Sequence, residues 1–157
     1  MSITGRQSSQ LLRAMLRDVP IVPVLVINNL DDAIPVAEAL VSGGLPVIEV
    51  TLRTPVAIKA IKAMSAVDGC LVGVGTLLSN DDVVEAIEAG AKFRVSPGTT
   101  QKLLGSCEQH GMPLLGGVAT NTDMMALHKR GYNVSKIIPA EASAACWNDA
   151  GGWWSWP

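Results

Sequence analysis

The sequence predicts an α/β fold, and within that class a parallel barrel of the (β/α)8 TIM type with about six βα units present. Three observations carry this reading. Short β-branched runs alternate with longer helical patterns, the arrangement that builds a parallel sheet covered by helices. The runs recur every 20 to 27 residues or about that, the length of one βα unit. No G-x-G-x-x-G opens the first βα turn, where VINNLDD offers only Asn28 and Asn29, and polar residues lie within or at the ends of several strands. That third point sets a barrel ahead of a doubly wound sheet, the other architecture the alternation allows.

Taken in order, the strand candidates are IVPVLVI from Ile21, VIEVTL from Val47, LVGVGT from Leu71, FRVSPG from Phe93, MPLLGGV from Met112 and VSKIIPA from Val134. A helix, SSQLLRAMLRD, precedes the first. Between strands, DDAIPVAEALVSGG and SNDDVVEAIEAGA each open with a capping residue and acids in the first turn, and close on glycine near Gly43 and Gly90. In VIEVTLR the alternation puts Glu49, Thr51 and Arg53 on one face and Ile48, Val50 and Leu52 on the other. Helices would cover the aliphatic face, so the charges would point inward, where they are costly unless paired or functional. Gly73 and Gly75 flank Val74 and predict either tight packing or a close approach of backbone to ligand.

The composition narrows the partner. A 157-residue chain that is 48% hydrophobic can bury a substantial core in one domain. Its formal net charge of -2, from 12 basic and 14 acidic residues mixed along the chain, leaves no footprint for nucleic acid or an anionic membrane. A small-molecule partner is expected. Cys70, Cys107 and Cys146 lack C-x-x-C spacing, and the isolated His110 and His128 complete no metal set with them, so neither metal nor disulfide is expected. No stretch has signal-peptide or membrane-span character, which predicts a cytoplasmic protein.

Five motifs at successive strands, VIEVTLRT, VGVGTLL, RVSPG, PLLGGVAT and KIIPAEA, resemble the 2-keto-3-deoxy-6-phosphogluconate (KDPG) aldolase family over roughly residues 21 to 142. The resemblance implies a class I aldolase that cleaves a 2-keto-3-deoxy phospho sugar acid without a cofactor and assembles as a trimer. It assigns the Schiff-base lysine to Lys136 in KIIPAEA, a residue in a run otherwise made of Val, Ser, Ile, Pro and Ala. Such surroundings strip an ammonium of hydration and favour the neutral, nucleophilic amine. Glu49 is the candidate general acid and base, with a buried structural pair to Arg53 as its other reading. Arg53 and Thr76 are assigned to the substrate carboxylate, for which a planar guanidinium is well shaped, and Pro97 to a substrate contact.

Two further readings accompany this one. A 4-hydroxy-2-oxoglutarate (KHG) aldolase would use the same Lys136, Glu49 and Arg53, and an inactive remnant would carry them without chemistry. An eight-stranded barrel needs two strands more than are visible, and usually at least about 200 residues. The expectation is therefore a C-terminally truncated barrel domain over residues 1–141, followed by an atypical tail over 142–157 that holds all four tryptophans, Trp147, Trp153, Trp154 and Trp156.

Overall fold

The computed structural model describes residues 2–141. It contains six parallel strands: β1 (Val24–Leu25), β2 (Val47–Thr51), β3 (Leu71–Gly75), β4 (Phe93–Ser96), β5 (Leu114–Val118) and β6 (Ser135–Ile137). They hydrogen-bond in the order β1-β2-β3-β4-β5-β6. A doubly wound sheet reverses its strand order at a switch point. This order never reverses, so that alternative is excluded.

The sheet is also strongly curled. Lys136 on β6 and Glu49 on β2 are hydrogen-bonded through their side chains, 2.9 Å apart. In a flat sheet, the four strand spacings between them would separate the backbones by about 19 Å. Glu and Lys side chains together cannot span that distance, so the sheet curves into a half-barrel with both residues on its concave face.

Alternation along each strand then sorts the residues. Ile48, Val50, Val72, Val74, Leu114 and Val118 form the convex face, buried in one core with residues of the covering helices such as Ala37, Ile61, Ala86 and Leu104. Those helices are α2 (Ala33–Ser42), α3 (Ala57–Met64), α4 (Asn80–Glu88), α5 (Gln101–Gln109) and α6 (Asn121–Lys129). Their ends follow local chemistry. Ser79 caps α4 and Thr120 caps α6, each in a reciprocal capping box, with Asp82 and Asp123 respectively. Gly44, Gly90, Gly111 and Gly131 take positive φ just past four helices, where a β-carbon would be strained.

The capping box on α6 should be visible in acid. Hydrogen bonds involving Thr120 and the Ala119 and Thr120 amides hold the exposed Asp123 carboxyl below its ordinary value of 3.8. A depressed carboxyl contributes stability that is complete above its unfolded pKa and is lost as pH falls through the folded one. Asp123→Asn should therefore melt below the wild type at neutral pH, and the two melting temperatures should converge below about pH 4.

Helix α1 (Gly5–Leu16) lies across the N-terminal end of the sheet. Fully buried Leu12 packs with Val47, Phe93 and Val95, and Leu71, Leu115 and Val134 surround them. These residues open successive strands on the concave face, so α1 closes one end of the half-barrel with an apolar plug. Two serines fasten it. Ser8 Oγ accepts from the Leu114 amide at 2.9 Å, and Ser9 Oγ accepts from the Asn133 amide at 2.9 Å. Leu12→Ala should cost about 2–5 kcal/mol, measured by chemical denaturation, because the plug cannot collapse onto the space left behind.

Two expectations about the strands are corrected. The run from Ile21 to Ile27 forms only a two-residue strand, because Pro20 and Pro23 lack amide donors and β1 is an edge strand. Pro23 still accepts from the Glu49 amide at 2.8 Å. Likewise β2 stops at Thr51, so Arg53 lies beyond the strand, exposed, instead of on the inward face with Glu49.

A charge the sequence reading did not single out is buried on the convex face. Arg94 is fully buried; its Nη2 donates to the Val83 carbonyl at 3.2 Å, while Nε and Nη1 have no partner among the described residues. Burial lowers its pKa and raises that of the adjacent Cys107 thiol, each partly offset by the other. A buried cation without a carboxylate beside it is costly, so Arg94→Met, which keeps the apolar stem, should leave the melting temperature unchanged or raise it. A fall of more than about 5 °C would show that the guanidinium makes a stabilising interaction that this packing does not account for.

Candidate active site

Glu49 occupies the middle of β2, hydrogen-bonded between β1 and β3, with a side chain only 5% exposed. A carboxylate so placed needs a counter-charge, because stripping its water costs several kcal/mol or about that. Lys136 supplies it. Its Nζ lies 2.9 Å from Oε2 and 3.3 Å from Oε1, while its own side chain remains 27% exposed. The pair thus has one member in the wall and the other facing the open concave space.

This contact changes two readings of the sequence. Glu49 is paired with Lys136 and not with Arg53, so a structural Glu49–Arg53 pair does not form. Lys136 faces a carboxylate, so the apolar composition of its own strand misdescribes its surroundings. Residues from four strands away supply the polar partner, and the local sequence could not show it.

The other singled-out residues sit at the C-terminal ends of their strands. Arg53 follows β2, and its side chain is exposed, with no hydrogen bond or ion pair among the described residues. Thr76 follows β3 with φ of +62°, the left-handed region that a β-branched residue rarely adopts. Such backbone strain costs about 1–3 kcal/mol and clusters at functional sites. Pro97 follows β4 and is exposed. Glu49 and Lys136 are in direct contact; Arg53, Thr76 and Pro97 form a rim at the end of the half-barrel opposite the α1 plug.

Close backbone approach contributes a feature that sequence reading passed over. Gly117 is the register partner of Lys136. A β-carbon there would lie 2.5 Å from the Ser96 carbonyl oxygen and closer still to that of Pro97. Only glycine lets the S-P-G turn press against β5 beside Lys136. The glycine pair in PLLGGVAT was the available signal.

With this geometry in view, the comparisons with known proteins are decisive on kinship. The family model for KDPG and KHG aldolase matches residues 12–148. The chain belongs to that family. A 2-dehydro-3-deoxy-phosphogluconate aldolase of Zymomonas mobilis is 48% identical over 128 residues, covering 82% of this chain and 62% of that protein. The chain therefore spans a little under two thirds of the length of that curated relative. A crystal structure of the 2-keto-3-deoxy-6-phosphogluconate aldolase from Zymomonas mobilis superposes with a TM-score of 0.80 at 45% identity, over 85% of this chain and 66% of that one. A KDPG aldolase from Legionella pneumophila, with pyruvate captured at low pH as a covalent carbinolamine intermediate, superposes with a TM-score of 0.78 at 38% identity, over 92% of this chain and 71% of that one. Among the described residues, no helix is long and apolar enough to cross a membrane.

Proposed function

We propose that this chain is a class I aldolase cleaving 2-dehydro-3-deoxy-6-phospho-D-gluconate to pyruvate and D-glyceraldehyde 3-phosphate, with Lys136 as nucleophile and Glu49 as general acid and base. The observation that carries the proposal is the 2.9 Å contact between Lys136 Nζ and Glu49 Oε2 on the concave face of the half-barrel. Membership of the family and the covalent pyruvate adduct in the Legionella pneumophila relative support it.

The chemistry follows from the pair. Transfer of one proton from the Lys136 ammonium to Glu49 leaves a neutral amine, which attacks the C2 ketone. Loss of water gives an iminium, whose nitrogen takes up the electron pair released when the C3–C4 bond breaks. Glu49, through a water, removes the C4 hydroxyl proton, so the aldehyde departs and an enamine remains. Protonation at C3 and hydrolysis release pyruvate and restore the amine. The iminium is the electron sink, so the sequence of steps calls for no metal or organic cofactor.

Arg53 is the carboxylate clamp in this reading, its guanidinium exposed at the rim, and the strained Thr76 backbone directs a second donor to the same carboxylate. Pro97 contacts substrate beside Lys136. Residues 1–141 act as one domain and supply six units of a (β/α)8 barrel, and the resemblance adds a cytoplasmic homotrimer. Cleavage of 4-hydroxy-2-oxoglutarate would use the same pyruvate-end residues, and the family description names both substrates.

Borohydride reduction in the presence of pyruvate tests the proposal. A reduced adduct mapped to Lys136 in folded protein is the expected result. Folded protein that gives no adduct would leave the family relationship intact and remove the proposed activity from this chain.

A further inference from the structure

The position of Glu49 depends on which inner-face residues of β3 have no side chain. By register, Glu49 stands opposite Gly73, and Thr51 opposite Gly75. The space above Gly73 is already filled. Phe93, which pairs with Gly73 from the other side, lays its ring there, so that a β-carbon on Gly73 would lie 2.6 Å from Cε1 and closer to Cζ. Glu49 therefore leans one step further towards the C-terminal end of the sheet. A β-carbon on Gly75 would sit 2.8 Å from Glu49 Cγ and 2.9 Å from Cδ, with Oε1 nearer still.

We propose that Gly75 is a positioning residue: the absence of its side chain leaves the channel through which Glu49 crosses β3 to reach Lys136. The inference rests on the aldolase reading for its kinetic consequence, and on geometry alone for its structural one. The two glycines of the G-V-G run then have different tasks. Gly73 admits an aromatic ring packed in the apolar plug, which cannot yield. Gly75 admits a flexible, charged side chain, which can. The φ of Gly75 is not in the left-handed region, so alanine fits the backbone and its cost falls on the orientation of Glu49.

Gly75→Ala in the full chain is the test. Its kcat should fall about 100-fold, the scale of a misplaced general base, with KM within about two-fold because Arg53 and Thr76 are untouched. In a Glu49→Gln background the same substitution should change kcat less than about two-fold, since Gly75 acts only through the carboxylate. An equal loss in both backgrounds, or wild-type kcat in folded Gly75→Ala, overturns the proposal. Should the wild type prove inactive, a crystal structure of Gly75→Ala decides it. Glu49 displaced beyond hydrogen-bonding distance of Lys136 supports the proposal, and a retained contact overturns it.

Discussion

Lys136→Ala is expected to abolish the borohydride-trapped pyruvate adduct and to lower kcat for aldol cleavage by at least 10,000-fold or about that, because the electron sink is built on its nitrogen. No other described amine is in a position to replace it: Lys136 is the lysine bonded to Glu49 on the concave face. Loss of the ammonium also leaves the nearly buried Glu49 without its counter-charge. A destabilisation of about 1–3 kcal/mol should accompany the kinetic loss, below the figure for a fully buried pair because Lys136 is partly exposed. Activity is therefore to be compared at a temperature where denaturation curves show both proteins folded. Residual cleavage above about one hundredth of the wild-type rate would assign the nucleophile elsewhere.

Glu49→Gln separates removal of the C4 hydroxyl proton from imine formation, which solvent can still support slowly by taking the Lys136 proton. The amide keeps the shape of the side chain and a hydrogen-bonding oxygen for Lys136 but cannot accept the C4 hydroxyl proton. A fall in kcat of about 100- to 10,000-fold is expected, with the adduct at Lys136 still trapped after long incubation. Stability should change little. The substitution removes a carboxylate from the wall of the half-barrel, while Lys136 has solvent within reach. A variant that neither traps pyruvate nor melts at a lower temperature would make Glu49 indispensable for freeing the Lys136 amine, so that its part in cleavage could not be separated.

Much of this architecture was legible in the sequence because its signals are local. Strand periodicity, capping at Ser79, and glycines after helices such as Gly90 each depend on a few adjacent residues, and their spacing conveyed the βα repeat. Lys136 and Glu49 were legible as individual candidates. Their contact was not, since it is created by the curvature of the sheet and joins residues 87 positions apart. Arg53 was expected on the inward face with Glu49 because alternation continues through Leu52 and Arg53 after pairing has ended at Thr51. Arg94 went unnoticed because a strand-borne arginine reads as an exposed charge, and only the packing of α4 and α5 over β4 reveals its burial. The glycines of β3 were ambiguous for the same reason: what occupies the space beside each is a side chain from another strand.

The fastening of α1 to β5 and to the segment leading into β6 has a consequence for biosynthesis. Ser9 meets Asn133 across 124 positions of sequence, and Ser8 meets Leu114 across 106. Helix α1 is thus held by residues made more than a hundred positions after its two serines, after a delay on the order of ten seconds at ordinary translation rates. During that interval Leu12, Met15 and Leu16 have no completed end of the sheet to cover them. Contacts of such high separation slow folding, and until β6 is made the nascent chain leaves the apolar face of α1 uncovered. Since β6 also carries Lys136, the nucleophile and the N-terminal clasp reach their final places in the same late event.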